Sequence, residues 1–134
     1  MSSLFCFLAF FLAVQNIDAE RPIEVRVITN QLFHRHLNDM HIKVFRNMLD
    51  EYIGTKGINF AEEEIQERIV DEGGMFAVRY ILRDFDCDEL IELARDGKSR
   101  TDFVSAVKIK CPCRSEIVID STNMNQYENM NQYQ

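Results

Sequence analysis

The chain has 134 residues, of which 46% are hydrophobic and 28% charged, and its formal charge is −7. That length suits one domain whose single core buries about two-thirds of the unfolded surface. The acidic balance repels phosphate backbones and anionic lipid heads, so neither nucleic acid nor a membrane surface is an expected partner.

Residues 4 to 14 form an unbroken apolar run followed by polar residues and Ala19. The run is too short to span a bilayer and fits the core of a secretory signal peptide cleaved after Ala19, although no Lys or Arg precedes it. The chain therefore divides into a signal peptide (1–19), a single α+β domain (20–120) and a polar tail (121–134), and the expected location is secreted, extracellular. Cleavage removes Cys6 and Asp18, so the formal charge goes from −7 to −6. In an oxidising compartment Cys87, Cys111 and Cys113 should yield one disulfide and one unpaired thiol. Cys111 and Cys113 are too close in sequence to bridge each other without strain, so Cys87 should pair with one of them. A zinc site is disfavoured because Cys-Pro-Cys lacks the usual two-residue gap between sulfur ligands.

Over residues 21 to 38 the apolar positions Val25, Ile28, Leu32, Phe33, Leu37 and Met40 recur three and four apart, which predicts an amphipathic helix. The β-branched run "IEVRVIT" keeps a strand as the alternative over residues 23–29. From Ile42 a second stripe, Ile42, Phe45, Met48, Leu49, Tyr52 and Ile53, points nearly opposite the first at about 100° per residue. The chain must then break between Leu37 and His41, with Asn38 or Asp39 capping a second helix.

All three histidines lie in "FHRHLNDMH", at this break. His34 falls on the polar face, His36 on the apolar stripe and His41 in the first turn of the second helix. Even on one unbroken helix His34 and His41 would stand about 10 Å apart with His36 facing away, so no metal is expected from this trio, and no cofactor. His36 with Asp39 is the one pair suited to acid-base work.

"GTKGINF" reads as a turn and a brief strand. "NFAEEEIQERIVDEGG" has Asn59 and Glu62 at capping-box spacing, Ala61, Ile65 and Ile69 on one face, and Gly73-Gly74 as a stop, which predicts a third helix. "MFAVRYILRDF", "DFVSAVKIKC" and "SEIVID" alternate as strands. Residues 88–95 stay open between helix and strand, and Asp96-Gly97 carries a hairpin signal. A hairpin there would bring Cys87 to Cys111, so that bridge is preferred and Cys113 becomes the free thiol. In "DFDCDE", Asp84, Asp86 and Asp88 match the first ligand positions of a calcium loop, but Glu89 and Arg95 break the match. The repeated "NMNQY" of the tail is too polar to order itself.

In the lines "VITNQLFHRHLNDMHIKVFRNMLDEYIG" and "INFAEEEIQERIV" the order of helix, break and helix resembles the nuclear transport factor 2-like superfamily, over roughly residues 24 to 120. The resemblance implies two or three N-terminal helices packed on a curved antiparallel sheet around an internal pocket. It would make Phe33, Leu37, Met40, Phe76 and Val78 pocket residues, and His36, Asp39 and Tyr80 the catalytic candidates. A cystatin-like roll is the runner-up, without that family's Gln-x-Val-x-Gly inhibitory loop. The expected function is a small secreted domain binding an apolar small molecule or a protein partner, with no evident catalytic motif and with homodimerisation left open. The alternatives are a dehydratase- or isomerase-type pocket enzyme and a cystatin-like interaction module. The intact mass of the secreted protein tests the processing: it should correspond to a chain beginning at Glu20, and a chain retaining residues 1–19 would refute the cleavage.

Overall fold

Ile23, Val25 and Thr29 are buried while Glu24 and Arg26 lie toward the opposite face, and this alternation makes residues Ile23–Leu32 the first strand, β1. The helix expected here is thus corrected in favour of the strand alternative. Val25, Val27, Ile28 and Thr29 are β-branched, which restricts them in a helix and suits a pleated surface. Alternation fails after Ile28 because the strand bulges: its register slips between Ile28 and Leu32 against one neighbour and between Ile28 and Thr29 against the other. Thr29 secures the irregularity, its fully buried hydroxyl donating to the Phe76 carbonyl at 2.6 Å.

The computed structural model describes residues 22–58 and 65–121. The signal-peptide reading, the Asn59/Glu62 capping box and the tail beyond residue 121 lie outside the described residues. The expected break near residue 38 is present, but it joins a strand to a helix. Helix α1 (Asn38–Lys56) has Leu37 at its N-cap with no side-chain cap. Asn38, expected as a cap, instead accepts the His34 N–H at 3.1 Å and closes the preceding turn. Gly57, at φ 66°, ends α1 in the left-handed conformation that glycine favours.

The expected third helix is also a strand, β2 (Ile65–Glu72). Ile65 and Ile69 are four residues apart, a spacing that puts them on one face in either structure, so it could not discriminate. Gly73 and Gly74, both at positive φ, form the two-residue hairpin turn into β3 (Met75–Leu82). Helix α2 (Cys87–Ser99) follows, with the Asp86 side chain accepting the Asp88 and Glu89 N–H groups. Asp96-Gly97 therefore lies within a helix and makes no hairpin. Strands β4 (Val104–Lys110) and β5 (Ile117–Asp120) complete the domain.

The sheet order is β2-β3-β1-β4-β5, antiparallel throughout. β3 lies between β1 and β2, and β1 between β3 and β4, so the first four strands and both helices form two interlocked split β-α-β units. Right-handed crossovers place both helices on the same face. That face carries Val25, Tyr80 and Ile109 in register, and the core forms between it and Phe45, Leu90 and Ile91 of the helices. The opposite face carries Arg68, Arg79, Arg26 and Lys108 in a row across four strands. The class is α+β as expected, but two helices, not two or three at the N-terminus, are present among the described residues, and a strand precedes the first. The helix-break-helix order behind the resemblance to the nuclear transport factor 2-like superfamily is not the order observed.

Cys87 and Cys111 form a disulfide, Cα–Cα 6.2 Å, tying the start of α2 to the end of β4. Cys113, expected as a free thiol, is not free. Replacing Thr29 with Val keeps the shape but leaves the Phe76 carbonyl without its hydroxyl partner. Denaturant unfolding should show a loss of about 1–3 kcal/mol with an unchanged slope, and an unchanged midpoint would remove the bond's role.

Candidate functional site

The two helices do not close over the sheet along their whole length. Phe45 of α1 is almost fully buried, with its ring centroid 6.3 Å from that of Tyr80 and 6.5 Å from that of Phe103. His41, one turn earlier, sets its ring edge-on to Phe76 at 5.3 Å. A cavity of about 400 Å³ lies between the helices and the sheet. Its floor is Val25, Val27, Tyr80, Leu82 and Val107, and its walls include Met48 and Leu49 of α1 and Leu90, Leu93 and Ala94 of α2.

The C-terminal ends of the helices meet at the border of the cavity, where Tyr52 and Gly97 both line it. A Cβ on Gly97 would come within 3.2 Å of the Tyr52 ring, so glycine is what lets the ring lie against α2. The Tyr52 hydroxyl donates to Asp96 Oδ2 at 2.7 Å and sits 3.0 Å from the Leu93 carbonyl. Asp96 also faces Lys56 Nζ at 2.9 Å and Arg100 Nε at 3.1 Å, and both cations stand over the Tyr52 ring. Bonding to Lys56 and then to Tyr52 holds the Asp96 carboxyl down to about 2, while burial and then Asp96 push the Tyr52 phenol above its ordinary range.

On the β2 side the Tyr80 hydroxyl donates to Glu67 Oε2 at 2.7 Å, and Arg46 holds the other oxygen of that carboxylate. Burial, then the Glu67 bond, raises the Tyr80 phenol, so it is a fixed neutral donor whose proton is already committed. This is poor equipment for proton transfer to a substrate. Among the described residues no group of three His, Cys, Asp or Glu side chains is gathered that could hold a metal ion.

The candidates named from sequence are dispersed. Tyr80 lines the cavity; His36 and Asp39 do not, and both are exposed at the approach to α1. His36 donates its backbone N–H to His34 Nδ1 at 3.2 Å, with the two rings 5.3 Å apart. The buried histidine is His41, not His36, and its Nδ1 has no hydrogen-bond partner among the described residues. Its spacing from Phe45, Met48 and Tyr52 places it on the same apolar stripe, a signal present in the sequence. Of the expected pocket residues, Leu37 and Met40 are 42% and 54% exposed, Phe33 is half-buried away from the cavity, and Phe76 and Val78 are wholly buried in the core beside it. Two apolar positions on the same inner face of β3, Tyr80 and Leu82, line the cavity instead.

The calcium-loop acids also have structural roles: Asp86 caps α2, and Asp88 pairs with Arg114 at 2.7 Å, which lowers its carboxyl. Fold and site together define a disulfide-bonded α+β domain with an apolar cavity between one sheet face and two helices. The model of the family described as secreted clade V proteins matches residues 23–118, from the first residue of β1 into β5. The chain belongs to that family and is a secreted, extracellular protein. No curated protein and no solved structure matches it.

The Asp96 cluster predicts an acid limb of stability. Its folded-state carboxyl lies at about 2 against an ordinary 3.8, so its contribution is fully present above that ordinary value and is lost as pH falls toward 2. Asp96 is more than a third exposed and its pairs are screened, so the effect is on the order of 1 kcal/mol. Thermal melts of Asp96→Asn should be less stable at neutral pH and should converge on the wild type as pH approaches 2. Curves that stay parallel would show that Asp96 does not supply that limb.

Proposed function

We propose that this secreted domain is a binding module that carries an apolar small molecule in the cavity between α1, α2 and the sheet. The observation that supports this reading is the cavity. Its volume falls within the roughly 300–1,000 Å³ typical of small-molecule sites, and aliphatic and aromatic side chains form its floor and walls. An interior normally packs to the density of an organic crystal, so an apolar space of this size forfeits dispersion contacts that a ligand would restore. Both tyrosine hydroxyls at its borders are satisfied by protein acceptors, which leaves the interior without competing polar demands. The catalytic alternative lacks comparable support, because the His36/Asp39 pair lies outside this space.

A solvent-sensitive apolar dye such as anilinonaphthalene sulfonate tests the reading. The native protein should enhance its fluorescence, and Ala94→Trp, which fills the cavity from α2, should weaken dye binding at least tenfold while circular dichroism and melting temperature hold. A folded wild type that binds neither this dye nor a neutral aliphatic probe would overturn the proposal.

A further inference from the structure

The cavity's lining is not uniform: its polar side chains gather where α1 and α2 end. Lys98, Arg100 and Thr101 border it from the end of α2, and Glu51 and Thr55 from α1. Lys98 is half-buried and has no ion pair among the described residues. Arg100 shares the single carboxylate of Asp96 with Lys56. Three cations therefore stand near two acids, Asp96 and Glu51, and this end of the cavity keeps one positive charge on a chain of net −7.

Cations in the last turn of a helix ordinarily complement its exposed carbonyls. Here those carbonyls already have partners. Leu93 O lies 3.0 Å from the Tyr52 hydroxyl, Asp96 O accepts from Ser99 Oγ at 2.6 Å, and Gly97 O and Lys98 O accept the Arg100 and Thr101 N–H groups at 3.2 and 3.4 Å. Among the described residues none pairs with the Lys98 ammonium.

We propose that the ligand is a long-chain carboxylate, a fatty acid, whose tail lies among Leu49, Leu82, Leu90 and Val107 and whose head meets Lys98 and Arg100. The inference rests on the binding reading above and adds the chemistry of the head. A space of about 400 Å³ suits one aliphatic chain. A cationic amphiphile is repelled by the excess charge, and a neutral one leaves it unused. Tyr52, pinned between Asp96 and Gly97, fixes the helix ends from which the two cations project.

The test is a comparison of oleate and methyl oleate, titrated into the full secreted protein by displacement of a fluorescent aliphatic probe. Oleate should bind more tightly than the ester by about fivefold, the factor for one exposed ion pair, and the gap should narrow as salt rises. Lys98→Gln should bring oleate toward the ester while leaving the ester unchanged, and Lys98→Glu should place oleate below it. Equal binding of acid and ester to the wild type, or a loss of both ligands together in Lys98→Gln, overturns the carboxylate assignment and leaves the cavity reading standing. If neither ligand binds a protein whose melting curve is native, the assignment falls together with the cavity reading.

Discussion

The contact of Tyr52 with α2 is the constraint on which the cavity depends. Split β-α-β connections place two helices on one face of the sheet but do not fix how closely they approach each other. Gly97 lets the aromatic ring lie against the second helix, and Asp96 then holds the phenol from the other side. The helices are joined at that end, and α1 is pinned nearer its start by His41 and Phe45 against β3. Between these points the facing residues of α2 include Ala94, too small to reach across. Phe45, Tyr52 and Gly97 border the resulting cavity themselves.

On the other face of the sheet three of the four cations in the central row are offset by carboxylates of the same face. Arg68, Arg79, Arg26 and Lys108 are register partners in one row, an arrangement of like charges that would by itself be destabilising. Glu24 offsets it by pairing with Arg26 and Arg79, each at 2.9 Å. Glu72 pairs with Arg26 at 3.3 Å and Lys108 at 3.0 Å, and Lys108 foremost holds its carboxyl below the usual range. Glu72 adjoins the Gly73-Gly74 turn and is a register partner of neither cation.

How much of this was legible in the sequence depended on whether an apolar spacing belonged to one structure or to two. Phe76, Val78, Tyr80 and Leu82 repeat every second residue, a spacing unique to strands, and β3 was read correctly, as were β4 and β5. Ile65 and Ile69 stand four apart, which a helix and a strand share, and the glutamates before them resembled a helix start. β1 was obscured by its bulge, where the alternation that marks a strand is interrupted. The histidines followed from that error: continuing a helical register from residue 21 put His36 on the buried side, whereas register counted from Phe45 back to His41 finds the histidine that is buried. The Cys87–Cys111 pairing was found, although the expected hairpin was a helix, because the return from residue 87 to residue 111 is set by sheet order and not by how the intervening chain is folded. The cavity was only half legible. Alternation identified the inner face of β3, but which of its residues line the cavity depends on how the helices pack on the sheet, and no local pattern encodes that.

An apolar cavity between helices and sheet costs a domain of this size part of a narrow stability margin. The disulfide offsets such a cost: a sequence separation of 24 residues corresponds to about 3.5 kcal/mol in the chain-entropy view. Its placement matters as much as its magnitude. It fastens the first turn of α2, and the Tyr52 contact fastens the last, so the helix cannot settle into the space beneath it from either end. Collapse is the usual response of a core to missing volume, and its extent governs how much a void costs. A helix held at both termini keeps the void open, and a ligand that fills it returns stability by mass action. The same two fastenings explain how a small extracellular domain retains an apolar cavity between its helices and its sheet.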